Sequence, residues 1–343
     1  MMTRHPNSPN EFALRNRLLQ EALRTSEDPW RIQEEYPTVL SCEFASNSFC
    51  LFDDSGKILA HANLLDTVFE SRDGLRQIKV GCVGNVATHE NYRGQGLQKE
   101  IFSAIEAAAI SRGLIGLFLW SDLSDFFGKL GFSAVGEERR WFVSAHEVLD
   151  VSKNLYSIKN SFSSSFSSSF SSSVLLQLLN LRNASCQAEF LVKRRIDDFR
   201  SLLTIPGMHM FIGTSSPIPG MRQMDEIQGD VLRSIDSSLI ESWYLVGKGA
   251  DMKGVVHEWG APSPLRLSSD LSNIYRALDQ FMVLAPLSTN TALSSVLKRF
   301  SAHYESHPMA LYKDLAKDLR KTRSVDAGNN WQDRCFLWGL DSI

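Results

Sequence analysis

The sequence predicts a mixed α/β protein built as two sandwich halves, on three observations. Apolar strand-like segments alternate with amphipathic helix-like segments through residues 1–150. A low-complexity tract, residues 160–173 (NSFSSSFSSSFSSS), then breaks the pattern. After it, a weaker version of the same order of strands and helices returns. Mixed strands with a helix between two of them pack as an α+β or α/β sandwich. At 343 residues the chain exceeds one average domain, and the expected division is 1–150, a connecting segment 151–195, and 196–343.

The elements follow in order. Phe12, Leu14, Leu18, Leu19 and Leu23 fall at helical spacing within residues 11–24, and Pro29 and Pro37 interrupt the next stretch into a short helix. Ser48–Phe52 and Ile58–Phe69 read as strands around the turn Asp53-Asp54-Ser55-Gly56. Gln77–Thr88 is a strand rich in small and β-branched residues. Gln95–Arg112 is a helix with Leu97, Ile101, Ile105 and Ala108 on one face and Gly113 as its stop. Leu114–Trp120 is a buried strand, Leu123–Leu130 a short helix, and Ser133–Ser144 a final strand or strand pair. In the second half Met208–Gly213, Trp243–Lys248 and Gly254–Trp259 read as strands, the last two joined by Gly249-Ala250-Asp251. Asp270–Phe281 reads as a helix, Met282–Leu287 as a strand, Thr291–Tyr304 and Pro308–Lys321 as helices, and Arg334–Ile343 as a closing apolar strand. Phe162, Phe166 and Phe170 would share a face if the Ser/Phe tract were helical; the tract reads as a linker or surface helix. Trp120, Trp243, Trp259 and Trp338 are expected in the core.

Composition narrows the function. Hydrophobic residues make up 43% and charged residues 22%, ordinary for a chain with a real core. A formal net charge of −3 argues against a general binder of nucleic acid or anionic membrane, since both need a basic surface. Cys42, Cys50, Cys82, Cys186 and Cys335 are scattered without a CxxC pair, as expected of reduced thiols rather than a disulfide frame or zinc site. Met1–Asn10 lacks the apolar core of a secretory signal, and no apolar run approaches the ~20 residues of a membrane span, so a cytoplasmic location is expected.

The stretch that carries chemistry is Val83–Ile101, VGNVATHENYRGQGLQKEI. A strand runs into a loop holding an arginine and two glycines, and the loop runs straight into an amphipathic helix. Glycines let backbone N–H groups approach an anion, and the helix start adds unpaired amides and a favourable dipole. The residues following Gly96 are Leu97-Gln98, not the GK[ST] of a Walker loop, and the third glycine of a dinucleotide fingerprint is missing. A kinase glycine loop lies between two strands rather than before a long helix.

Arg93-Gly94-Gln95-Gly96-Leu97-Gln98 resembles the [QR]xxGx[GA] signature of the GNAT N-acetyltransferase superfamily, with Gln98 where that family has a small residue. Asp125-Phe126-Phe127-Gly128-Lys129-Leu130-Gly131-Phe132 resembles the family's FYxKLGF segment at the expected distance. The similarity covers roughly residues 30–145. It implies two GNAT-like three-layer sandwiches in tandem, the second degenerate: after His257-Glu258-Trp259 the chain continues Gly260-Ala261-Pro262-Ser263-Pro264, and prolines offer no amide to a phosphate.

The resemblance implies acetyl-CoA as co-substrate, no metal, and a small-molecule or protein amine as acceptor. Backbone groups of Asn85, Val86, Ala87 and Thr88 would meet the pantetheine arm, and the amides of Arg93 to Gln98 the pyrophosphate. An amine would attack the thioester directly, given orientation, a proton acceptor and oxyanion stabilisation. The family's proton-donating tyrosine is replaced by Phe127, so Ser124 becomes the nearest hydroxyl on the same short helix. The usual acid on the central strand is absent from Gln77–Thr88, leaving His89 as the closest titratable group, unless it is a surface loop histidine. Asp122 would orient an amine or cap the following helix. His257-Glu258 is a polar pair of which strand alternation lets only one member face a cleft, and Glu258 is a candidate proton acceptor. The terminal carboxylate of Ile343 is a further candidate. Two alternatives stay open: a non-catalytic acyl-CoA sensor, and an aminoacyl transferase of the tandem-GNAT type. Neither the acceptor's identity nor the oligomeric state is written in the sequence.

Overall fold

The computed structural model describes residues 1–143, 154–159, 169–227, 229–278, 280–286, 295–298, 300, 302–316 and 331–341. The chain begins with β1 (Met2–Arg4), α1 (Pro9–Leu23), α2 (Ile32–Glu35), α3 (Pro37–Leu40), β2 (Ser48–Phe52), β3 (Ile58–Ser71) and β4 (Gln77–Thr88). It continues with α4 (Leu97–Arg112), β5 (Gly116–Leu119), α5 (Ser124–Gly128), β6 (Ser133–Val135), β7 (Glu138–Val143), β8 (Leu155–Lys159), α6 (Ser172–Ser185) and β9 (Phe190–Val192). There follow α7 (Ile196–Leu202), β10 (His209–Thr214), α8 (Gly229–Ser234), β11 (Ile240–Lys248), β12 (Asp251–Gly260), α9 (Pro264–Leu278) and β13 (Phe281–Pro286). The last strands are β14 (His303–His307), β15 (Ala310–Asp314) and β16 (Cys335–Phe336).

Two mixed sheets result. The first runs β1-β2-β3-β4-β5-β15-β6, with β9 beside the far end of β3 and β16 beside β9; the second runs β14-β7-β13-β12-β11-β10-β8. The halves correspond strand for strand. In each, an antiparallel trio (β2-β3-β4, β10-β11-β12) is followed by a crossover helix (α4, α9) and a parallel fifth strand (β5, β13). Beyond that strand the halves trade: β15 from the end of the chain inserts between β5 and β6, and β7 inserts between β13 and β14. Gly136, at φ +63°, stands where the chain leaves the first sheet for the second.

This exchange corrects several expectations. Ser133–Ser144 is a strand pair, but its two strands belong to different sheets. Within the expected helix Pro308–Lys321, residues 310–314 form strand β15 between β5 and β6, and residues 317–321 lie outside the described residues. Ala310, Leu311 and Tyr312 are consecutive and all buried, a run too short for periodicity to separate strand from helix. Of Thr291–Tyr304, residues 291–294 lie outside the described residues, 295–298 are helical, and the chain is extended from His303. Arg334–Ile343 holds only the two-residue β16 and a short 3-10 turn at Gly339–Asp341, while Ile343 lies outside the described residues. The segment 151–195 is more than a connection, because β8 and β9 extend both sheets and α6 packs on β11 and β12. Residues 160–168 of the Ser/Phe tract lie outside the described residues; Phe170 is buried, and Ser171 caps α6 through its Oγ, 3.3 Å from the Val174 amide.

The halves share one core. Trp331, near the end of the chain, places its ring 5.4 Å from Phe69, 5.7 Å from Phe118 and 6.0 Å from Tyr312. Trp243, Trp259 and Trp338 are buried as expected, whereas Trp120 is half-buried and lines a cleft. All five cysteines are free, and among the described residues no helix is long and apolar enough to cross a membrane.

Candidate functional site

The geometry of the site begins with β4. β4 and β5 pair in parallel from Gly81–Leu117 to Val83–Leu119; β5 then stops while β4 runs on to Thr88. Against β3, β4 carries a bulge: His61 faces Ala87 but Asn63 faces Gly84, so β4 holds one residue more than its partner. Asn85 absorbs it at φ +47°, and its carbonyl accepts a 2.9 Å hydrogen bond from His61 Nδ1. Burial lowers His61 to about 3, which keeps the imidazole neutral and fixes that proton on Nδ1. The twist of the bulge and the early end of β5 open a gap between residues 84–88 and 119–121.

Into that gap points the head of α4. The helix buries Leu97, Ile101, Phe102, Ile105 and Ala109 against a core that includes Leu51, Leu64 and Leu117. Its N-cap is Gly96, in the left-handed region at φ +74°, with Gly94 likewise at +77°. A Cβ at either glycine would meet nothing within 4 Å, so the loop borders open space. Gly96 has no side chain to cap the helix, and the Leu97 and Gln98 amides stand ahead of the helical hydrogen bonds. Gln98 fastens this junction. Its buried Nε2 donates to the Ala87 carbonyl at 2.7 Å and to Thr88 Oγ1 at 3.0 Å.

The gap is the floor of a cleft of about 840 Å³. Val86, Ala87, Thr88, Arg93, Gly94, Gly96, Leu97, Gln98 and Phe127 all line it, together with Trp120, Ser121 and Lys129; Gln95 does not. An open, glycine-bordered loop at a helix start, with Arg93 and Lys129 alongside, suits the diphosphate of a nucleotide-like group.

The catalytic candidates fare differently. His89 lies outside this cleft: it stands at the start of a 3-10 turn, where its Nδ1 accepts from the Asn91 amide at 3.3 Å, and it borders a smaller pocket with Glu21 and Glu90. Asp122 and Ser124 are exposed and also off the cleft wall; Leu123, not Asp122, is the N-cap of α5. Ser121 is the hydroxyl that reaches the wall in that segment, with its Oγ accepting from the Leu123 amide at 3.1 Å. Glu258 is fully buried in an ionic cluster with Arg182 and Arg194, both of which also pair with Asp341. A carboxylate so neutralised and enclosed cannot reach an acceptor. His257 is buried too, bonded through Nε2 to the Gly247 carbonyl at 2.9 Å and lowered by burial to about 3.

Three residues on the opposite wall were missed by sequence reasoning: Arg24, Tyr36 and Asp251. Asp251 opens β12 in the second half, yet Tyr36 Oη donates to its Oδ2, and Arg24 Nη2 donates to the same oxygen at 3.1 Å. Arg24 is held by Glu35, which also accepts from the Ala250 amide. Burial and the neighbouring Asp251 push the Tyr36 phenol well above its ordinary value, so it stays a hydrogen-bond donor. The Gly249-Ala250-Asp251 turn was legible; its approach to α2 was not.

The equivalent point in the second half is closed. A Cβ at Gly260 would meet the Arg182 amide at 2.6 Å and Trp243 Nε1 at 2.6 Å, and the Ala261 amide donates to Ser185 Oγ at 2.7 Å. Helix α6 fills the space beside Gly260, whereas the space beside Gly94 and Gly96 is open.

Residues 15–132 match the model of the acetyltransferase (GNAT) family. That stretch, which carries the loop and the head of α4, is similar to a GNAT acetyltransferase domain. That family uses acyl-CoA, and the open cradle at Gly94 and Gly96 fits the diphosphate of such a group. No curated protein matches the chain by sequence. Among solved structures, the fold is similar to a probable N-acyltransferase of unknown function from Enterococcus faecalis V583, at 14% identity and a TM-score of 0.62, covering 93% of this chain and 74% of that one. It is also similar to a GCN5-related N-acetyltransferase from Anabaena variabilis (10%, TM-score 0.59, 92% and 73%). N-myristoyltransferase from Saccharomyces cerevisiae with bound myristoyl-CoA is similar at 9% identity and a TM-score of 0.54 (91% and 77%). These likenesses run across both halves and show a shared fold over the length of the chain.

Proposed function

We propose that the protein transfers an acetyl group from acetyl-CoA to a primary amine. The observation that carries this reading is the open loop Arg93–Gly96 at the head of α4, facing the gap beside the β4 bulge. The bound co-substrate supplies a thioester carbonyl: the amine forms an N–C bond, the C–S bond breaks, and of the two protons lost by the ammonium one goes to solvent and one to the leaving thiolate. On the protein's side, the amides of Gly96 to Gln98 bind the diphosphate, and the free edge of β4 at Val86–Thr88 aligns the arm that leads to the thioester. Phe127, 4% exposed, forms an apolar wall without a proton to give, and Ser121 is the hydroxyl that replaces the expected donor. The acceptor is a small-molecule or protein amine.

The absent tyrosine and strand carboxylate favour a second reading, a non-catalytic acyl-CoA sensor. Free-thiol release from acetyl-CoA across a panel of primary amines separates the two. Amine-dependent release that is lost in Arg93→Glu is expected. Acetyl-CoA binding without release from any amine supports the sensor, and no binding at all overturns both.

A further inference from the structure

We infer that Asp251, donated by the second half, is the site that holds the acceptor's ammonium, and that it selects primary amines with no carboxylate beside the amine. This deepens the acetyl-transfer reading and rests on it. The bonds to Asp251 from Tyr36 and Arg24 both fall on Oδ2; among the hydrogen bonds of the described residues none reaches Oδ1. The side chain is 43% exposed and lines the same cleft as the loop and the β4 bulge. The site therefore presents a carboxylate with one oxygen fixed and the other open to a cationic donor.

The neighbouring charges set the class. Arg24 bonds Asp251 directly, but its side chain is only 6% exposed, and four of its five N–H donors are taken by Glu35, Asp251, Tyr36 and the Leu23 carbonyl. The single Nη1 hydrogen that remains cannot make the two-bonded grip by which an open guanidinium holds a carboxylate. Arg24 and the buried Lys248, the partner of Asp251 across β11 and β12, balance Glu35 and Asp251, so this wall has no surplus cation to hold a carboxylate while the open Oδ1 accepts from an ammonium. The lip of the cleft adds Leu123 and Phe126, both exposed, against which an apolar body can rest. Phenethylamine meets all three conditions; phenylalanine has the same ring and amine with the forbidden carboxylate.

The test is calorimetric titration of each compound into the protein saturated with CoA, with CoA affinity measured separately. Phenethylamine is expected to bind at least tenfold more tightly than phenylalanine. Asp251→Asn is expected to weaken phenethylamine at least tenfold, leave CoA affinity unchanged, and erase the preference. Because Asp251 also bonds across the seam, Tyr36→Phe serves as a second variant: it breaks one of those bonds while keeping the carboxylate, and amine binding should persist. Asp28→Asn removes an equal charge from the same seam, off the cleft wall, and should change nothing. Loss of CoA binding in the unaltered protein overturns the acetyl-transfer reading. CoA binding with no phenethylamine binding, equal binding of the two compounds, or an unaffected Asp251→Asn overturns this proposal alone.

Discussion

Gly96→Ala separates folding from binding at the loop. Gly96 sits at φ +74°, where an L-residue costs about 1–2 kcal/mol, and the added methyl meets no protein atom within 4 Å. Strain is therefore the whole folding cost, and the methyl projects into the space that the diphosphate needs. Gly56, in the β2–β3 turn, is a matched control: φ is +85°, its surroundings are equally open, and it is absent from the cleft wall. Gly56→Ala and Gly96→Ala should lose the same ~1–2 kcal/mol in urea unfolding. Only Gly96→Ala should weaken CoA, by tenfold or more in calorimetric titration. If a folded Gly96→Ala binds CoA as the unaltered protein does, the loop is not the diphosphate site. If it loses much more stability than Gly56→Ala, the space beside it is not open.

Three further outcomes follow from the same structure. Gln98→Ala restores the small residue usual in the family motif, yet it deletes bonds to Ala87 and Thr88 and should cost about 1–2 kcal/mol of stability, read by urea unfolding. Unchanged stability would show that the side chain does not fasten the helix to β4. Glu258→Gln leaves Arg182, Arg194 and Asp341 buried with unbalanced charge and should destabilise by about 3–5 kcal/mol; thermal unfolding close to that of the unaltered protein would contradict the cluster's structural role. Glu138, buried on β7, is pushed by desolvation from 4.5 up to about 7. Its folded value lies above its unfolded one, so its stabilising contribution is complete below pH 4.5 and lost as pH rises through 7. Glu138→Gln should gain about 3 kcal/mol on the unaltered protein between pH 4.5 and 8, and a constant difference across that window would refute the assignment.

What was legible in the sequence was local. The loop Arg93–Gln98 and both glycine caps of α4 are written in adjacent residues, because a left-handed turn and a helix start need only near neighbours. Gln77–Thr88 appears as a strand in full, although the bulge at Asn85 depends on His61 across the sheet. The exchange of β7 and β15 was hidden, since a short apolar strand carries no mark of which sheet will receive it. Asp251 was visible only as a turn residue; its place at the cleft follows from the Ala250–Glu35 contact, 215 positions apart in the chain. Glu258 misled for a similar reason, because its covering arginines come from α6 and the segment after β9.

The account stands on the diphosphate of CoA lying against the head of α4. A crystal structure of the protein grown with CoA tests this most directly. The account predicts diphosphate oxygens within hydrogen-bond distance of the Gly96, Leu97 and Gln98 amides, with the pantetheine arm running beside Val86–Thr88. CoA bound elsewhere, with that loop facing bare solvent, would contradict it.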